Sequence, residues 1–210
     1  MRTPGLVPVA DGVTLAVARI DALLPHAGRC TAADRSAIAG LPPWRARQSL
    51  GARTLLRLAL AETAGARAAR AGIDVREGGK PYLPDRPDLG INYSHDGEWA
   101  AAVVGDGHAV GVDVQEPRAV GPGMLRRCCT EATAARLSAL PAADREWEFA
   151  RIWTVQEACV KASGDGLPGR PWTIRVDLGR QQGAWKSYEW RSLRKDQGPP
   201  VSCAYRREEG

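Results

Sequence analysis

The chain has no apolar run long enough to cross a membrane, since its longest purely apolar stretch is Trp99 to Val104. A secretory leader is also missing: Met1 to Ala10 carries Pro4 and Pro8 where an apolar core would be needed. Both absences point to a cytoplasmic protein with no membrane partner. Cysteines spaced for metal are lacking too. Cys30, Cys128, Cys129, Cys159 and Cys203 form no CxxC and no Cys/His spacing suited to zinc, and five is an odd number, so reduced structural thiols are expected. Low-complexity tracts and short-period repeats are absent. No RNP-like aromatic signature and no long basic tail accompany the pI of about 9.2, which argues against a nucleic-acid partner.

What is there is an ordinary globular composition. Hydrophobic residues make up 44% and charged residues 25% of 210, enough for one large domain or two small ones. The net charge of +5 is regional, because Arg45 to Arg76 holds seven arginines against Glu62 and Asp74. Such a region suits an anionic ligand or an acidic partner, and equally a solvated arginine-rich face.

Periodicity divides the chain into elements. Val13 to Arg19 reads as a strand and Ala32 to Ala39 as a short helix. From Arg45 a helix is expected with Ala52, Leu55, Leu56, Ala59, Thr63 and Ala66 as its buried face and Arg53 and Arg57 on another, stopping by Gly72. Ile73 to Arg76 reads as a strand and Glu77 to Pro81 as a turn; Gly90 to Gly97 reads as a polar loop before a buried strand at Trp99 to Val104. After a turn at Gly105 to Gly107 comes the valine-rich strand Ala109 to Val114. Met124 to Leu140 and Glu146 to Ser163 read as helices separated by Pro141, with strands at Trp172 to Asp177, Trp185 to Arg191 and Val201 to Arg206. Each half thus gives helix then strands. The expectation is an α+β protein of two similar halves, residues 1–107 and 108–210, with a ligand site at their junction.

Two features carry chemistry. Trp153, Glu157 and Lys161 recur every four residues, so a helix stacks an aromatic, a carboxylate and an ammonium on one face. Alone, that is an ordinary surface pair worth roughly 0.3–0.5 kcal/mol. Asp113 is less ordinary, because an ionised carboxylate in an apolar strand needs a cation or several donors. Together the pair and Asp113 offer two carboxylates and an ammonium.

Four segments in order, Gly79-Lys80-Pro81, Asn92-Tyr93-Ser94-His95, Gly111-Val112-Asp113-Val114 and Trp153 to Ala158 with Lys161 and Gly164, resemble the phosphopantetheinyl transferases of the type that activates surfactin synthetase. The resemblance runs from about Arg47 to Leu167. It implies a pseudo-dimer of two α+β halves and magnesium-dependent transfer of the phosphopantetheine arm of coenzyme A to a serine of an acyl, peptidyl or aryl carrier protein. Manganese would substitute for magnesium, and the enzyme would be a monomer serving polyketide, nonribosomal peptide or siderophore synthesis. By the same resemblance Asp113, Glu157 and Gln115 hold the metal, and Glu157 and Lys161 are catalytic. Arg47, Lys80, Pro81, Ser94, His95 and Lys161 hold coenzyme A. The chain departs from the pattern at Gln115, where a second acid is common, at Gln156, where a lysine is common, and at Asp96, which replaces a serine. Less charge in the phosphate site is the expected result.

Overall fold

The computed structural model describes residues 5–193 and 198–208; Met1 to Pro4, part of the segment read above for a leader, lie outside them. Strands β1 (Leu6–Ala10) and β2 (Val13–Arg19) lead into the short helix α1 (Ile20–Leu23), then α2 (Ala32–Ser36) and the long α3 (Pro43–Ala68). Next come β3 (Asp74–Val75), β4 (Pro81–Tyr82), β5 (Leu89–Asp96) and β6 (Trp99–Asp106). Beyond Gly107 lie β7 (His108–Val114), α4 (Pro122–Cys128), α5 (Glu131–Ser138), α6 (Ala142–Ser163), β8 (Gln182–Trp185), β9 (Tyr188–Leu193) and β10 (Val201–Arg207). The first six strands make one antiparallel sheet in the order β1-β2-β6-β5-β4-β3; the last four make another, β7-β10-β9-β8.

Alternation along the strands explains how these layers stack. On β6, Ala100, Ala102 and Val104 pack with Leu55, Leu56, Ala59 and Leu60 of α3, while Ala101 and Val103 turn the other way. On β7 and β10, Ala109 and Ala204 face Ile152, Val155, Ala158 and Cys159 of α6, whereas Val110, Val112, Val201 and Cys203 meet Leu15, Val17 and Val103 of the first sheet. A period of two thus gives every central strand two buried faces, and the order is helix, sheet, sheet, helix.

Several expectations are corrected. Gly90 to Asp96 belongs to a strand rather than a loop, because Ile91 and Tyr93 fill the α3 side while Asn92 and Ser94 find polar partners on the other. Met124 to Leu140 is two helices, broken where the Thr130 hydroxyl accepts from the Thr133 N–H and starts α5. Trp172 to Asp177 forms a 3₁₀ turn followed by irregular chain. Thr63 and Ala66 are exposed, since α3 is interrupted at Gly65 (φ 83, ψ 173).

Arg57, off the apolar stripe as expected, is nevertheless 1% exposed. Asp34 from α2 covers it, accepting from Nε at 2.8 Å and Nη2 at 3.0 Å, and Nη1 donates to the Ala71 carbonyl at 2.7 Å. Arg53 adds a bond to Asp34 at 3.1 Å. Burial pushes the Asp34 carboxyl up, but the Arg57 and Thr31 hydrogen bonds outweigh it and hold the pKa below the usual value. This pair ties the amino-terminal segment to α3. Asp34→Ala leaves the guanidinium buried without its anion and should cost about 3–5 kcal/mol in a urea melt. Because the folded pKa is depressed, the pair's contribution is present above the unfolded carboxylate pKa and is lost as pH falls through the folded one.

Candidate active site at the junction of the sheets

The site begins with a glycine. On β7, Ala109, Gly111 and Asp113 share the face beneath α6, and a Cβ on Gly111 would collide with the Ala158 carbonyl and the Ala162 amide nitrogen. Only glycine lets the helix lie this close, which brings Lys161 down onto Asp113. The outer edge of β7 is met by β5. There the Asn92 side chain supplies the acceptor that a neighbouring strand would have given, taking the Val112 N–H at 3.1 Å. Ser94, two residues on and on the same face, then reaches Asp113.

Three elements therefore converge on one carboxylate. Asp113 Oδ1 accepts from the Lys161 ammonium at 2.6 Å and from the Ser94 hydroxyl at 2.7 Å, and Lys161 also donates to Ser94 Oγ at 3.1 Å. Asp113 is 7% exposed, so this pairing answers the cost of a carboxylate in an apolar strand. Glu157, one helical turn before Lys161, is half-buried. Burial raises its pKa, the Asp113 charge raises it further, and Lys161 opposes both. His95 follows Ser94 on β5. Burial holds its pKa below the ordinary histidine value, with Lys161 and Arg45 acting the same way and Asp96 and Asp113 opposing. A phosphate beside His95 would favour its protonated form.

Among the described residues no cluster of three His, Cys, Asp or Glu side chains could hold a metal. Asp113 and Glu157 remain as two hard oxygen donors, close enough for the Asp113 charge to raise the Glu157 pKa. Two carboxylates with open positions fit a magnesium ion that takes its other ligands from water and phosphate oxygens. Lys161 neutralises Asp113 through their 2.6 Å contact.

The other expected residues are placed as follows. Gln115 stands just past the end of β7, its N–H donating to the Pro200 carbonyl at 3.2 Å. Glu116 is committed elsewhere: its N–H donates to Asp96 at 2.8 Å and its carboxylate accepts from the Glu98 N–H at 3.0 Å. Arg47 donates to both Glu98 oxygens at 3.0 and 2.8 Å and to Asp21. Arg45, two residues earlier and so on a different helix face, is the arginine whose charge reaches His95. Lys80 donates to the carbonyl of Ala162 at the end of α6; burial, with Arg76 and Arg206 assisting and Glu208 opposing, pushes its pKa down to about 8.

Pro81, Gly79, Asn92, Tyr93, Lys161 and Gly164 line a cavity of about 200 Å³ beside the Asp113 cluster. A larger one, about 410 Å³, opens on the other side of Lys80 between Arg76, Arg206 and Tyr188. Gln156 does not bear on phosphate charge at all. It is fully buried, and its amide donates to the carbonyls of Cys128 at 2.7 Å and Ile174 at 2.8 Å, stitching α6 to the chain around it. Trp190 lies in the core with Trp153 and Trp172 against it, and burial pushes the Cys159 thiol up to about 12, so it is no nucleophile.

Residues 109–204, which contain Asp113, Glu157 and Lys161, match the model of the 4'-phosphopantetheinyl transferase superfamily. The chain is 30% identical over 113 residues to a 4'-phosphopantetheinyl transferase of Bacillus subtilis, covering 54% of this chain and 50% of the relative. It is 28% identical over 92 residues to the 4'-phosphopantetheinyl transferase Sfp of Bacillus subtilis strain 168, covering 44% and 41%. An L-aminoadipate-semialdehyde dehydrogenase-phosphopantetheinyl transferase of Eremothecium gossypii is 33% identical over 145 residues, covering 66% and 52%. The chain thus spans about half the length of the curated relatives it matches.

Proposed function

We propose that this chain transfers the phosphopantetheine arm of coenzyme A to a serine hydroxyl of an apo acyl, peptidyl or aryl carrier protein and releases adenosine bisphosphate. The observation that carries the reading is the convergence of Asp113, Lys161 and Ser94 across β7, α6 and β5, with Glu157 alongside. In the reaction the serine oxygen forms a bond to the phosphorus bearing the pantetheine arm. The pyrophosphate bond to that phosphorus breaks, its electron pair leaves with the nucleotide, and the serine proton passes to Glu157. A raised pKa suits Glu157 for accepting that proton, directly or through water. Asp113 and Glu157 would hold magnesium, which when bound neutralises charge on the pyrophosphate. Lys161, freed from Asp113, stabilises the departing phosphate. Ser94, His95, Lys80, Pro81 and Arg47 border the coenzyme in this reading, with the Arg45 charge also reaching His95.

Two finer readings go with this one. Each half pairs one long helix with one antiparallel sheet, and Gly107 lies between the last strand of one sheet and the first of the other, which supports a pseudo-dimer divided at residues 1–107 and 108–210. Such a chain builds its site alone and so acts as a monomer. No described helix is long and apolar enough to cross a membrane. Incubation with coenzyme A, magnesium and a panel of apo carriers, followed by intact mass measurement of the carriers, tests the function. A phosphopantetheine increment on at least one carrier is expected; carriers that bind with no increment would leave a carrier-binding protein instead of a transferase.

A further inference from the structure

We infer that Lys80 is a positioning residue: its ammonium caps the carboxyl end of α6 and so holds Lys161 on Asp113. The inference rests on the transferase reading for its kinetic consequence, but its geometry stands apart from it. The last carbonyls of a helix have no partner within the helix. At the end of α6, Gly164 takes the left-handed conformation (φ 81) and its N–H returns to Val160, which leaves the carbonyl of Ala162 to be satisfied from outside. Lys80, from β4's approach in the other sheet, donates to it. A cation is also the favoured charge at this end of a helix.

The contact is made by a whole turn and not by one flexible side chain. A Cβ on Gly78 would collide with the Gly164 carbonyl, and one on Gly166 would lie 3.2 Å from the Gly78 carbonyl, so the backbones of the two segments are in direct apposition. The Lys80 stem crosses Gly164, with its Cδ 3.4 Å from where a Cβ would stand. Pro81, buried, fixes the backbone just after it. Two sheets are joined here at the residue that follows Lys161. Among the described residues Lys80 has no carboxylate within ion-pair distance, and Glu208 acts on it only through its field. One donor of the ammonium is thereby engaged by the helix end.

Lys80→Met and Lys80→Arg test this. The first should expose the Ala162 carbonyl and speed amide hydrogen exchange in the last turn of α6, and the second, which keeps a donor, should restore protection. If a frayed end displaces Lys161, kcat of Lys80→Met should fall about tenfold, with KM for coenzyme A within about twofold of the parent. The same loss should appear with coenzyme A lacking the ribose phosphate. A raised KM at unchanged kcat, vanishing with the dephosphorylated substrate, would make Lys80 a nucleotide ligand and overturn the inference. Unaltered exchange at the end of α6 would overturn it as well. Exchange needs no turnover, so it decides the cap even if the chain transfers nothing to any carrier.

Discussion

Asp113→Asn should lower kcat/KM for carrier modification by about 10²–10³-fold, the range seen when one preorganised electrostatic group is removed from an active site. The amide is nearly isosteric and can still accept from the Ser94 hydroxyl that now lies 2.7 Å from Oδ1, so the strand and its neighbours stay in place. What disappears is the charge. Lys161, at 2.6 Å, loses its counter-ion, and Glu157 loses the neighbour that helps raise its pKa. Two effects then add in the same direction: a metal has one carboxylate fewer, and the base is weaker. Thermal melting of the variant checks that the loss is chemical. If Asp113→Asn transferred at the parent rate under saturating magnesium, Asp113 would be neither ligand nor electrostatic partner.

Gly111→Ala should damage both the fold and the reaction. Its new methyl would meet the backbone of α6 at Ala158 and Ala162, and would stand 2.8 Å from the Lys161 carbonyl carbon. Backbone cannot swing aside as the end of a side chain can, so the helix has to rise off the strand. Overpacking of this kind costs typically about 1–3 kcal/mol, and a shift near 1 Å at Lys161 can cost on the order of 10² in rate. Urea melts and steady-state kinetics measure the two losses. Parent values for both would mean that α6 is not held against β7 at this point.

Much of the molecule could be read from residue order. Val13 to Arg19 is a strand with the bounds that alternation predicts, and α6 contains the helix read between Glu146 and Ser163. Asp113, Glu157 and Lys161 were legible because a buried charge and an i,i+4 pair are local signals. What periodicity hides is the covering partner. Arg57 falls off the apolar stripe of α3, and nothing nearby says that Asp34 of another element will lie over it. Arg47 and Arg45 differ only in which face meets Asp21 and Glu98, a tertiary fact. For β5 the information was present: Leu89, Ile91 and Tyr93 alternate with Gly90, Asn92 and Ser94, but polar residues on the second face disguised a strand as a loop. Gln156, read as a lost charge in the phosphate site, is one residue from Glu157 and so turned about 100° away, into the interior.

The central claim is that Asp113 and Glu157, brought together by β7 and α6, make a cation site that the substrate's pyrophosphate completes. Calorimetric titration of manganese, in the presence and absence of coenzyme A, measures it directly. One ion per chain should bind with coenzyme A present, only weakly without it, and not in Glu157→Gln. Binding that is equally tight without coenzyme A, or unchanged in Glu157→Gln, would contradict the account.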